Sequence, residues 1–178
     1  KSVIKLNKNL VLTGMMGVGK STIGKTLAER LSYSFRDIDK LIETKEGCSI
    51  DFIFKNKGEN YFRKLENDIT LNQLKKNNSV ISLGGGAFIN RTIRREVKNS
   101  CLSFWLDVEI NELLSRLRKS KKRPLLFKKN LKETINKIYL ERKKIYSEAN
   151  YRIKCSFLKP QLIVNKILEL YAKSGSEI

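Results

Sequence analysis

Eight residues near the start of the chain constrain its fold more than any other segment. Gly14–Ser21 reads GMMGVGKS and fits the pattern G-x-x-x-x-G-K-[ST] at every position. The apolar run Leu10–Leu12 precedes it, and Ile23, Leu27 and Leu31 follow at the spacing of an amphipathic helix. A strand, a glycine-rich turn and a helix in this order place backbone N–H groups around phosphate oxygens, at the positive end of the helix. The segment therefore predicts a nucleotide site.

Two side chains of this loop carry specific expectations. Lys20 can reach the β- and γ-phosphates of a nucleoside triphosphate, and the hydroxyl of Ser21 can ligate Mg²⁺. We therefore expect a nucleotide and Mg²⁺ at this loop. The nucleotide-binding residues predicted from the segment are Gly14, Met15, Met16, Gly17, Val18, Gly19, Lys20, Ser21 and Thr22.

Short apolar segments alternate with amphipathic ones along the rest of the chain. Tyr33–Asp39 predicts a second strand, and Ser79–Leu83 predicts a third that stops at three glycines. Cys101–Leu106 and Tyr151–Cys155 predict the last two strands, with helical patterns between and after the strands. This alternation is typical of an α/β fold with a parallel sheet, here in a single domain over residues 1–178.

Composition excludes several kinds of chemistry. The 178 residues include no histidine, so a His-based catalytic triad and a His-ligated zinc site are impossible. Cys48, Cys101 and Cys155 form no CxxC pair. We expect all three cysteines to be small buried hydrophobic residues, in a protein of a reducing compartment. No apolar run approaches the roughly 18 residues of a membrane span, and no signal-peptide pattern opens the chain. We expect a cytoplasmic protein that contacts no membrane.

The charge of the chain is strongly positive. Lys and Arg number 37 against 18 Asp and Glu, a formal net charge of +19, and eight basic residues with no acid lie in Arg116–Lys129. Such a field attracts polyanions, either nucleic acid or a phosphorylated small molecule. Phe127 is the only aromatic residue in that segment, and no recognition-helix signature or aromatic RNA-binding pattern accompanies it. We therefore expect no specific nucleic-acid partner.

Three further groups of residues are candidates for an acceptor site. Each also has a purely structural alternative: an exposed turn for the two aspartates, an ordinary surface ion pair for the arginine and glutamate, and a flexible connection for the glycines. Asp37 and Asp39 end the predicted second strand, where alternation puts both carboxylates on one face. One can serve a metal ion, and the other can accept a hydrogen bond from a substrate hydroxyl. Arg63 and Glu66 are three residues apart and therefore neighbours on a helix, which suits an anion-binding guanidinium held by a carboxylate. The triplet Gly84–Gly86 removes side chains where a ligand approaches the end of a strand.

Together with Arg123-Pro124-Leu125-Leu126, Arg142 and Tyr146, these motifs resemble shikimate kinase, over a stretch from Leu12 to about Pro160. The resemblance implies transfer of the ATP γ-phosphoryl group to the 3-hydroxyl of shikimate, in the biosynthesis of chorismate and aromatic amino acids. It also implies a three-layer P-loop kinase fold like that of the nucleoside monophosphate kinases, with a central five-stranded parallel sheet. A free-standing enzyme and a monomer are expected.

The resemblance also implies roles for individual residues. On the donor side, Lys20 contacts the phosphates, Ser21 ligates Mg²⁺, and Asp37 and Ser82 support the metal through water. Arg123 is the lid residue that meets the transferred phosphoryl group. The lid spans about residues 116–129.

On the acceptor side, the resemblance implies the following roles. Asp39 binds the shikimate hydroxyls and orients or deprotonates the attacking oxygen. The residues that hold shikimate are Asp39, Arg63, Gly84, Gly85, Gly86 and Arg142, and the substrate-binding region spans about residues 37–66. Arg63 and Arg142 face the carboxylate of shikimate. Arg116 and Pro160 flank the adenine ring. Lys20, Asp39 and Arg123 are the expected catalytic residues.

Other small-molecule kinases of similar fold, such as gluconate or nucleotide kinases, are the nearest alternative. The acceptor residues argue against them, because Asp37, Asp39, Arg63 and the glycine triplet form the pocket that resembles shikimate kinase. A basic P-loop protein that binds nucleic acid is the alternative from another class.

Overall fold

The computed structural model of the chain describes residues 8–119 and 130–175. Within these residues five parallel strands form one sheet in the order β2-β3-β1-β4-β5. The strands are β1 (Asn9–Thr13), β2 (Ser34–Asp37), β3 (Ser79–Ser82), β4 (Cys101–Asp107) and β5 (Tyr151–Lys154).

In the described residues seven helices connect and flank the strands, and a short 3₁₀ turn over Ala87–Ile89 follows the glycine triplet. The helices are α1 (Lys20–Leu31), α2 (Ile38–Glu46), α3 (Ile50–Leu74), α4 (Arg91–Ser100), α5 (Ile110–Lys119), α6 (Leu131–Tyr146) and α7 (Pro160–Ser174). Gly58 has a non-helical backbone conformation and divides α3 into two segments. None of the helices in residues 8–119 and 130–175 has the length and apolar character needed to cross a bilayer.

The sheet is buried between helices. All residues of β1, β3 and β4 are buried, as central strands of a parallel sheet are. Helix α1 packs against β3 and α7, whereas α4 packs against β4 and α3. The predicted α/β fold with a five-stranded parallel sheet is therefore confirmed.

The strand register brings the ends of three strands together. Leu12 on β1 pairs with Ser82 on β3, and Ser82 pairs in turn with Asp37 on β2. Because the strands are parallel, the loops that follow them leave the sheet at the same edge. The phosphate loop, the start of α2 and the glycine triplet are therefore neighbours in space.

The predicted extent of the second strand is wrong. The strand ends at Asp37, whose side chain accepts a hydrogen bond from the backbone N–H of Lys40 at 3.3 Å and caps helix α2. Asp39 therefore lies in the first turn of α2, and the two carboxylates do not share a strand face. The strand ends there because the Asp37 side chain caps the helix, satisfying an N–H group that is otherwise free at a helix start.

Candidate active site

The phosphate loop lies between β1 and α1, and its lysine is folded back over it. Lys20 is buried, and its Nζ donates to the carbonyls of Gly14 at 2.8 Å and Met15 at 2.9 Å. The ammonium group is thus held against the backbone of the loop. Thr22, the last residue assigned to the loop, lies exposed on the first turn of α1.

Two oxygen-bearing side chains meet beside the loop. Ser21 Oγ donates to Asp37 Oδ2 at 2.5 Å, and Ser82, which pairs in register with Asp37, is buried. In the part of the chain that the structure describes, no cluster of three or more Asp, Glu, Cys or His side chains forms a metal cage. A hydroxyl and one carboxylate fit Mg²⁺, which proteins bind through one or two carboxylates and substrate phosphates.

Asp39 and Glu66 both lie against the backbone of Gly84. A Cβ atom added at Gly84 would lie 2.7 Å from Asp39 Oδ1 and 2.7 Å from Glu66 Oε1, so no larger residue fits there without moving a carboxylate. Burial raises the pKa of Glu66, the charge of Arg63 opposes this, and the charge of Asp39 adds to it. Two carboxylates therefore face one small space at the end of β3.

Arg63 is held between two glutamates. Its Nη1 donates to Glu66 Oε2 at 2.7 Å and its Nε donates to Glu59 Oε1 at 3.3 Å. Burial acts to lower the pKa of Arg63, but the charges of Glu66 and Glu59 and the hydrogen bonds to them together outweigh burial, so the pKa is raised. A Cβ atom at Gly86 would lie 2.7 Å from the Arg63 guanidinium, so the backbone of the triplet covers this side chain. Glu59 was not predicted, although its spacing of four from Arg63 was a signal.

Helix α6 contacts the glycine triplet through two side chains. Arg142 Nη1 donates to the carbonyl of Gly85 at 2.9 Å, and Tyr146 Oη donates to the same carbonyl at 2.5 Å. The ring of Tyr146 is buried 5.9 Å from that of Trp105, and burial raises the pKa of its hydroxyl. These bonds place Arg142 at Gly85, next to the glycine that the Arg63 guanidinium contacts.

The last part of the site lies on the other side of the phosphate loop. Arg116 Nη1 donates to the carbonyl of Val18 at 3.1 Å, and the Arg116 guanidinium pairs with Glu112. The second oxygen of Glu112 accepts a hydrogen bond from the backbone N–H of Phe157 at 2.8 Å. Pro160 opens α7 just after this contact. Sequence reasoning missed Glu112.

One edge of the sheet thus carries the sequence-predicted residues that the structure describes. Lys20, Ser21, Asp37 and Ser82 lie around the phosphate loop and the end of β3, and the predicted acceptor residues adjoin them. Arg123 and most of the predicted lid lie outside the described residues.

Comparison with known proteins agrees with this geometry. A family model described as shikimate kinase matches residues 16–172. The chain is 45% identical to a shikimate kinase from Sulfurihydrogenibium sp. strain YO3AOP1, over 90% of this chain and 96% of that protein. It is 44% identical to one from Persephonella marina, over 90% of this chain and 97% of the relative.

Solved structures divide into close and remote neighbours. The structure of shikimate kinase from Acinetobacter baumannii in complex with shikimate matches with a TM-score of 0.90 and 31% identity, over 95% of each chain. A gluconokinase from Sinorhizobium meliloti matches with a TM-score of 0.60 and 16% identity, over 96% of each chain, and shares the fold alone. The family model and the identity to curated relatives establish that the chain belongs to the shikimate kinase family.

Proposed function

We propose that this chain phosphorylates the 3-hydroxyl of shikimate, with ATP as the donor and shikimate 3-phosphate and ADP as the products. The observation that carries the proposal is the position of Arg63, Asp39 and Gly84 directly beside the phosphate loop, in a chain of the shikimate kinase family. Phosphoryl transfer needs a donor and an acceptor positioned in line, together with charge neutralisation, and it does not need histidine.

The acceptor is a small acid, and two arginines in this site suit its carboxylate. Arg63 is oriented by Glu66 and Glu59, and Arg142 is oriented by the carbonyl of Gly85. Each arginine–carboxylate contact contributes about 1.5–3 kcal/mol, so two contacts orient a ring acid strongly. The triplet backbone, which has no side chains, lets the ring approach the end of β3.

Asp39 is the residue that we assign to the attacking hydroxyl. Its carboxylate lies at the start of α2 and against Gly84. A carboxylate there accepts the hydroxyl proton while the oxygen forms its bond to phosphorus and the bond from phosphorus to the ADP oxygen breaks. The proton thus passes from the acceptor oxygen to Asp39.

The donor phosphates occupy the loop. On nucleotide binding, the Lys20 ammonium group contacts the phosphates in place of the loop carbonyls. Ser21 would ligate Mg²⁺, and Asp37 and Ser82 would support the ion through water. Bound Mg²⁺ supplies positive charge that neutralises the phosphate oxygens.

A lid completes the site. We assign Arg123 to the transferred phosphoryl group, within a lid of about residues 116–129. Such an arginine stabilises charge that develops during transfer, and lid closure excludes water that would otherwise hydrolyse ATP.

We infer that the chain acts as a monomer with a single kinase domain over residues 1–178 and a substrate-binding region of about residues 37–66. A cytoplasmic location agrees with free thiols at Cys48, Cys101 and Cys155, since reducing compartments keep thiols unpaired.

The test is ADP release from MgATP, measured with and without shikimate and in parallel with gluconate and nucleoside monophosphates. Stimulation by shikimate alone supports the proposal. Stimulation by gluconate or a nucleotide instead would identify one of the alternative kinases. A folded protein that binds ATP and responds to none of these acceptors would leave the phosphate loop assignment intact and contradict the acceptor pocket.

A further inference from the structure

We propose that Glu112 is a positioning residue that holds the two walls of the base pocket in the nucleotide site. One wall is Arg116 on α5, and the other is the loop of residues 155–159 that leads into Pro160. The inference rests on the proposed function and on the family resemblance, which implies that Arg116 and Pro160 flank the adenine ring of the nucleotide. It adds a residue that neither the motifs nor the resemblance indicated.

The first wall is fixed from two directions. Arg116 pairs through Nη2 with Glu112 Oε1 and donates through Nη1 to the carbonyl of Val18 at 3.1 Å. The Glu112 side chain is 13% exposed and that of Arg116 is 34% exposed. A largely buried carboxylate therefore holds the guanidinium of a side chain that is one-third exposed against the phosphate loop. These contacts fix the orientation of the guanidinium plane, which matters for a group that stacks on a flat ring.

The second wall is joined to α5 by the other oxygen of the same carboxylate. The N–H group of Phe157 donates to Glu112 Oε2 at 2.8 Å, and the N–H group of Glu109 donates to Ser156 Oγ at 2.8 Å. Phe157 has φ 58°, a left-handed conformation that is uncommon for residues other than glycine. The bond to Glu112 stabilises this conformation, and the conformation in turn directs the chain toward Pro160.

Only a carboxylate makes both bonds at once. Arg116 and the Phe157 N–H group are both donors, and an ionised glutamate offers two acceptor oxygens. A glutamine of the same length offers one oxygen and one NH₂ group, so one of the two donors then faces another donor. Glu112→Gln therefore breaks one of the two bonds that join the walls, while it preserves the size of the side chain.

The experiment measures dissociation constants for ADP and for inorganic pyrophosphate by calorimetry. Pyrophosphate occupies the phosphate loop but has no base or ribose. In Glu112→Gln we expect ADP to bind about tenfold more weakly, because a charge-assisted hydrogen bond is lost, while pyrophosphate binding changes less than about twofold. The KM for ATP is expected to rise with that for shikimate unchanged. The control is Glu169→Gln, which removes an exposed i,i+4 pair with Lys173 on α7 and should change neither constant.

Two results would overturn the inference: unchanged ADP affinity in Glu112→Gln, or an equal loss for ADP and pyrophosphate. Glu112→Asp provides a second variant if the glutamine variant does not fold. Its carboxylate is one methylene shorter and cannot reach both donors, so the same selective loss is expected, and full ADP affinity would contradict the role. If the unmodified chain binds neither ADP nor pyrophosphate, the proposed function itself fails.

Discussion

Arg63 and Glu66 form an ion pair of 2.7 Å in which the carboxylate is almost wholly buried and the guanidinium is partly exposed. The buried partner fixes the position of the arginine, and the exposed part of the guanidinium stays accessible to an acid. Most pairs of this spacing on helices are weak surface contacts. This one adjoins Asp39 and the glycine triplet, so the pair orients a binding group.

Removing the Arg63 side chain should weaken the binding of shikimate and leave the binding of the nucleotide unchanged. Arg63→Ala is expected to raise the KM for shikimate at least about tenfold, since a charge-assisted contact is lost, and to leave the dissociation constant of ADP near that of the unmodified chain. Steady-state kinetics and calorimetry measure the two effects. Arg91→Ala, an exposed arginine at the start of α4, is the control. An equal loss of affinity for shikimate and for ADP would contradict the assignment of Arg63 to the acceptor site.

The raised pKa of Glu66 predicts a pH dependence of stability. The folded chain retains the Glu66 proton to a higher pH than the unfolded chain, in which glutamate titrates near about 4.3. The contribution of Glu66 to the free energy of unfolding therefore falls as pH rises above that value, and it levels off above the folded pKa. The stability of the unmodified chain minus that of Glu66→Gln should decrease over this range.

Chemical denaturation at several pH values measures that difference. Glu169→Gln is the control of opposite sign, because the hydrogen bond from Lys173 lowers the pKa of Glu169. Its stability contribution is present above the unfolded pKa and is lost as pH falls. A difference for Glu66→Gln that rises with pH would show that the charge of Arg63 outweighs burial.

A methyl group at Gly84 tests the space shared by the two carboxylates. Gly84→Ala places a carbon 2.7 Å from both Asp39 Oδ1 and Glu66 Oε1, so at least one carboxylate must move. We expect kcat/KM for shikimate to fall by about 10²-fold, as misplacement of reacting groups by about 1 Å does, with ATP binding preserved. Gly175→Ala at the end of α7 controls for the substitution itself. Unchanged kcat/KM would show that the carboxylates take no part in binding or transfer.

Arg123→Ala tests the lid assignment. Arginines that meet a transferred phosphoryl group contribute about 10³–10⁵ to kcat, so kcat should fall by orders of magnitude while the affinity for shikimate changes little. Single-turnover phosphate transfer and shikimate binding are the two measurements, with Arg95→Ala on α4 as the control. Unchanged turnover would exclude Arg123 from the mechanism.

The sheet and the phosphate loop were predictable because each depends on a local pattern. Five short apolar runs, each followed by a turn or a helical period, are enough to indicate a parallel sheet. Asp39 shows where this reasoning fails. The same residues suited a strand continued to Asp39 and a helix capped by Asp37, and burial of Ile38 against the core accompanies the second outcome.

Contacts between segments that are distant in the sequence could not be predicted from it. Glu112 bonds to the backbone of a residue 45 positions away, and no feature of Phe157 in the sequence indicates its left-handed conformation. The sequence indicates Tyr146 only through the family resemblance, because a tyrosine on a helix gives no sign that its hydroxyl reaches Gly85. Both pairings depend on tertiary packing, which the local pattern does not encode.

The glycine triplet is a rigid segment in spite of its composition. The carbonyl of Gly84 accepts from Ala87 at 3.1 Å, that of Gly86 accepts from Ile89 at 3.2 Å, and that of Gly85 accepts from Arg142 and Tyr146. Glycine loses more backbone freedom on ordering than any other residue. In this chain that entropy is lost once, when the protein folds, and not again each time a substrate arrives. Ligand affinity is consequently not reduced by the disorder that three successive glycines would otherwise bring.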